Sequence, residues 1–127
     1  MRSPGSSESH HDHGQATVEL ALCLPLLFIF LLGIVQLVVI VRDQLAVQLA
    51  AREAARAASV AVPADGSAHD AADRAVALRP LIVATRVAID AVAVTVSHVT
   101  RTDVPLIGAL LPDVTVSATA TMALEPP

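Results

Sequence analysis

Between Glu19 and Arg42 this 127-residue chain carries no charge, leaving an apolar run from Leu20 to Val41. About 22 residues at a rise of ~1.5 Å reach about 33 Å as a helix, enough to cross the hydrocarbon of a bilayer. The run predicts a single-pass membrane protein. A cleaved secretory signal is disfavoured, because Glu8 and Asp12 outweigh Arg2 before the run, and the run exceeds the ~7–15 apolar residues of a signal core.

Hydrophobic residues make up 54% of the chain, and much of that content lies in the one segment. The stretch after Pro63 is close to the size at which a single core is marginal without staples or partners. Cys23, the single cysteine, lies inside the apolar run, so no intrachain disulfide ties the distal part together. Docking onto other subunits is the expected source of added stability.

The net charge is −4, and the basic residues are eight scattered arginines. Neither a phosphate-binding stripe nor aromatic rings outside the apolar run are present, since Phe28 and Phe30 are the only aromatics. Nucleic acid is therefore not an expected partner.

Composition divides the chain into a polar leader over residues 1–14, a membrane and juxtamembrane helix over 15–60 and a small distal region over 61–127. The Ser- and His-rich start cannot bury enough apolar surface to offset chain entropy, and reads as disordered through His13. From about Thr17 a helix should run past the membrane, because Arg42 to Val60 contains neither Gly nor Pro. Gln44, Gln48, Arg52 and Arg56 form a polar stripe on it, and Ala46, Ala50, Ala54 and Ala58 a small-residue stripe. The latter is either a face for close helix packing or a product of Ala-rich composition. Pro25 removes one backbone donor inside the run and crowds the Ala21 carbonyl, which predicts a local kink or loosened turn.

Pro63, Asp65 and Gly66 break the helix, and a shorter one is expected from about Ala68 to Leu78. The period then changes to two. Val92, Val94 and Val96 alternate with Ala93, Thr95 and Ser97, and Val114, Val116, Ala118, Ala120, Met122 and Leu124 with Thr115, Ser117, Thr119 and Thr121, predicting two strands with one buried face. Leu81 to Ile89 reads as a third strand or, with Arg86, as helix. Val104 to Pro112 reads as an apolar loop and contact surface. The expected class is α+β: a long N-terminal transmembrane helix extending out of the membrane, a short helix and a small antiparallel β region.

Gly14, Gln15 and Glu19 frame the mouth of the span. A protease cutting at a helix entrance needs an open, extended backbone, which glycine adopts readily. Cleavage after Gly14 would leave a new amino group on Gln15, about one helical turn from the Glu19 carboxylate. At a low-dielectric boundary such a pair interacts more strongly than in water. Glu19 then sets the register between packed subunits, or it is simply a helix-start acid favoured by the dipole.

The stretch GQATVELALCLPLLFIFLLGIVQ, followed by RDQLAVQLAAREAARAA, resembles the TadE-like family of pilin-like proteins from tight-adherence (Flp) pilus systems. The similarity is strongest over Gly14 to Ala58; the tail ATATMALE is similar but less specific. The resemblance implies a pseudopilin or minor pilin of Flp pilus assembly, anchored by its N-terminal helix. It implies a prepilin peptidase cutting between Gly14 and Gln15, with Glu19 as the acid on which recruitment and helix packing depend, alongside Pro25 in the packing helix. Its implied partners are membrane lipid, other pilin-like subunits and a platform protein of the assembly machine. Leu20 departs from the tyrosine that follows the acid in major Flp pilins, which argues against a main fibre subunit.

Topology signals conflict. Arg42, Arg52 and Arg56 follow the span and only Arg2 precedes it, so the positive-inside rule favours a cytoplasmic distal end; the resemblance implies an extracytoplasmic one. The alternative to a pilin-like role is an unprocessed single-pass anchor whose distal region binds another envelope protein. A membrane-bound enzyme subunit would need its catalytic partner in trans. His10, His11, Asp12 and His13 could bind divalent metal weakly, yet no metal site, cofactor or catalysis is expected: the sequence has no nucleophile paired with a base and no phosphate loop.

Overall fold

A computed structural model describes residues 9–103, 105, 108 and 111–124, with side chains from residue 14 onward. Five elements follow one another: α1 (Ser9–Ser59), α2 (Ala64–Ala75), β1 (Ile82–Val87), β2 (Ala91–Thr100) and β3 (Val114–Ala123). This is the expected α+β class. The compact units divide between Val35 and Gln36.

In the first unit, Gly14 to Val35 is helical and exposed throughout, apart from partly covered Leu32. The helix starts at Ser9 rather than near Thr17, which shortens the expected disordered leader. No proline lies between these positions, and Gly14 costs a helix interior only about 1 kcal/mol. Helical structure continues through Pro25. Residues 1–8 and the side chains of His10, His11, Asp12 and His13 lie outside the described residues.

The second unit is built on a meander. Its strand order is β1-β2-β3, both pairs antiparallel, with Val94 opposite Thr85 on one side and Ala120 on the other. The uncertain segment is thus a strand, with Arg86 opposite Ala93. Along β2, Val92, Val94, Val96, His98 and Thr100 are buried and alternate with residues that are less so, as expected for a strand with one face inward.

That face joins Val47, Ala50, Ala54 and Ala58 of α1 and Ala68 and Ala72 of α2 in one core. The alanine stripe is therefore a packing face, but residues of its own chain bury it. Ala51 and Ala55 widen it, and Ala46 lies at its margin. The largest fully buried side chains are four valines, Val47, Val92, Val94 and Val96. Such a core is thin, because a buried valine contributes only about 1.5–3 kcal/mol.

The short helix lies earlier than expected, over Ala64–Ala75 with Pro63 as its N-cap. Gly66 does not break it, Asp65 favours its first turn through the dipole, and Ser67 Oγ donates to the Ala64 carbonyl at 3.0 Å. Its end comes early because Val76 is extended. Arg79 then reaches back, donating to the carbonyls of Asp73 at 2.9 Å and Val76 at 3.2 Å, which satisfies acceptors that a helix end leaves open. The apolar loop expected at Val104 to Pro112 lies largely outside the described residues.

Candidate membrane and assembly site

Residues 14–35 are the part of α1 whose apolar side chains have no cover. Leu22, Leu26, Phe28 and Phe30 are each at least 60% exposed. In water each such side chain forgoes most of its burial free energy, whereas lipid would supply the missing surroundings. The most apolar part of this helix, a candidate membrane span, has a mean hydropathy of 3.0 and is 6% buried. A core helix of a soluble protein would be mostly buried.

Gln36, polar and in the same run, is only 7% exposed, and Ile40 packs partly against the core. The fully exposed stretch therefore ends at Val35, earlier than the charge-free run, which ends at Val41. Residues 14–35 still give about 33 Å of helix, matching a bilayer's hydrocarbon thickness.

Gly14, Gln15, Glu19 and Pro25 all lie on this exposed stretch. A Cβ built on Gly14 would meet nothing within 4 Å, so no close contact in the structure requires glycine there. Gln15 and Glu19, four residues apart on a helix, share a face one turn from each other. Glu19 is exposed on that helix.

A second polar group escaped the sequence reading. Where the inward face of β2 turns from valine to His98 and Thr100, Asp43 of α1 is only 7% exposed. Thr100 Oγ1 donates to Asp43 Oδ2 at 2.8 Å. His98 Nδ1 lies 2.8 Å from the Pro80 carbonyl, and because a carbonyl only accepts, Nδ1 is the protonated nitrogen of that contact. Beyond β2, the Thr102 amide donates to Asp113 Oδ1 at 3.2 Å. These bonds answer the cost of burying polar groups; Gln36 Nε2 is buried without a partner among the described residues. The available signal was helical: Gln36, Ile40, Asp43 and Val47 recur at intervals of three and four, on the face that Ala50 and Ala54 continue.

The polar stripe divides. Gln44 and Gln48 are half-buried beside β3, whereas Arg52 and Arg56 are exposed. Among the described residues, no group of three or more His, Cys, Asp and Glu side chains is arranged to hold a metal ion.

Fold and exposed helix together define a small α+β protein with an N-terminal helix of membrane-anchor type. Residues 14–56 match the family model described as TadE-like protein, which is Tad pilus-associated. The match takes in Gly14, Gln15, Glu19, Pro25 and the juxtamembrane helix to Arg56, and stops short of α2 and the sheet. Comparison with curated proteins and with solved structures returns no match.

Proposed function

We propose that this chain is a pseudopilin or minor pilin-like component of Flp (tight-adherence) pilus assembly, acting as a structural part rather than as an enzyme. The observation that carries the reading is the uncovered apolar helix over residues 14–35, which coincides with the start of the TadE-like match. Lipid holds that helix in a single pass, and the distal region stands outside the cytoplasm. A prepilin peptidase cuts between Gly14 and Gln15; the new amino group pairs with a Glu19 carboxylate of the same or a neighbouring subunit. Such pairing sets register, because an unpaired charge in a low-dielectric surrounding is costly. Other pilin-like subunits and a platform protein of the assembly machine are its partners.

One observation favours a second reading, an unprocessed single-pass anchor whose distal region binds another envelope protein. α1 begins at Ser9, so the Gly14–Gln15 bond lies within helix rather than in the extended backbone a peptidase needs. Intact-mass measurement of the protein extracted from its own membrane separates the two. An N-terminus at Gln15 supports the pilin-like reading, and one at Met1 supports the anchor.

A further inference from the structure

β3 forms one edge of the sheet, and the orientation of its peptide groups follows from two hydrogen bonds. Gln44 Nε2 donates to the Ser117 carbonyl at 3.0 Å, so the peptide groups of Ser117 point away from β2. The Leu124 amide donates to the Asp90 carbonyl at 2.9 Å, so the even-numbered positions point toward β2. In a strand the two directions alternate, which places the amides and carbonyls of Ser117, Thr119 and Thr121 on the free edge.

Protein edges are ordinarily blunted by charge, proline, a bulge or a covering element. β3 has none of the first three: its ten residues, VTVSATATMA, are uncharged and free of proline, and their register against β2 is unbroken from Val114 to Ala123. The opposite edge differs, since β1 carries Arg86 and has α2 packed beside it. Alongside β3 lies an open groove of about 640 Å³, walled on one side by Ser117 to Met122 and on the other by Gln44, Gln48 and Arg52.

Gln44 is already bound to the edge, while Gln48 and Arg52 make no hydrogen bond or ion pair among the described residues. Arg52 has only Gln48, Leu49, Ala55 and Arg56 as neighbours three and four positions away on its helix, so no acid answers it there.

The geometry points to strand addition: the groove takes up one extended segment of another polypeptide, paired to Ser117, Thr119 and Thr121, with a carboxylate of that segment held by Arg52. Main-chain hydrogen bonds supply affinity in this mode, and the guanidinium selects an acidic end. The surface lies wholly within residues 36–127 and stands independently of what the membrane helix does.

Amide hydrogen exchange on the full chain in detergent tests it, with two capped peptides as probes, Thr-Val-Thr-Val-Thr-Val-Thr-Glu and the same sequence ending in Gln. At saturating peptide, exchange at Ser117, Thr119 and Thr121 should slow by about tenfold or more, while Thr85 on the opposite edge stays unchanged. The Glu peptide should bind several-fold more tightly than the Gln peptide, and Arg52→Gln should erase that preference while keeping the protection. Thr121→Pro, which removes a donor only from the free edge, should abolish protection. Absence of protection, equal protection at Thr85, or an acid preference that survives Arg52→Gln would overturn the proposal. So would protection without peptide that rises with protein concentration, which would assign the edge to a second copy.

Discussion

Thr100 at the end of β2 donates its hydroxyl to the carboxylate of Asp43, 57 positions earlier on α1, over 2.8 Å, and both residues are buried. This side-chain bond ties the helix to the sheet where the valine face of β2 gives way to polar residues. Truncating either partner leaves the other buried and unsatisfied, at a cost of about 1–3 kcal/mol.

Asp43→Ala and Thr100→Val should each destabilise the folded protein by that amount, and the double variant by clearly less than the sum. Thermal unfolding in detergent measures the cycle. Strict additivity would mean that the pair contributes nothing beyond its two sites.

Val94 is fully buried between Thr85 and Ala120 on the neighbouring strands. Removing two methyl groups there costs about 2 kcal/mol once the residual cavity is counted. In a unit of this size that lowers Tm by roughly 10 °C, and circular dichroism of Val94→Ala should show it. Membrane retention of the variant should be unchanged, since its target lies outside residues 14–35.

Leu27 is exposed on the middle of the candidate span. An arginine at the centre of a membrane helix costs about 2.5–3.5 kcal/mol on insertion scales, so Leu27→Arg should move a large share of the protein out of the membrane fraction. Leu45→Arg, a comparably exposed site beyond Val35, should leave the fraction unaltered.

Glu19→Gln tests the packing role. The variant should still insert, because removing a charge eases entry into lipid, yet its co-isolation with other pilin-like subunits should fall by about tenfold, the equivalent of ~1.4 kcal/mol. Unchanged co-isolation would reduce Glu19 to a helix-start acid.

Much of this architecture is legible in the sequence because it depends on local periodicity. The alternation of Val92, Val94 and Val96 shows a half-buried strand, and the interval of four in Ala50, Ala54 and Ala58 shows a packing face. What covers that face is a tertiary fact, and the sequence alone leaves open whether a sister helix or the chain's own sheet does so. Asp43 was missed for a related reason: beside Arg42 it looks like a solvated charge, and only its spacing from Ile40 and Val47 betrays its inward side. The start of α1 at Ser9 and of α2 at Ala64 reflect glycines tolerated near helix ends, where propensity alone predicts a break. Gly14, Gln15 and Glu19 were conspicuous in sequence because a lone acid precedes an apolar run. The β3 groove was not, since it exists only once α1 and β3 lie side by side.

Cys23, the chain's single cysteine, is exposed within residues 14–35, and its thiol reports most directly on whether lipid surrounds that helix. A charged, membrane-impermeant maleimide applied to both faces of native membranes should leave Cys23 unlabelled and should label it fully after denaturation in detergent. A cysteine placed at fully exposed Val62, with Cys23 replaced by serine, should react readily under the native condition. Labelling of Cys23 in native membranes as fast as that control would contradict a lipid-embedded helix, and the proposed membrane role with it.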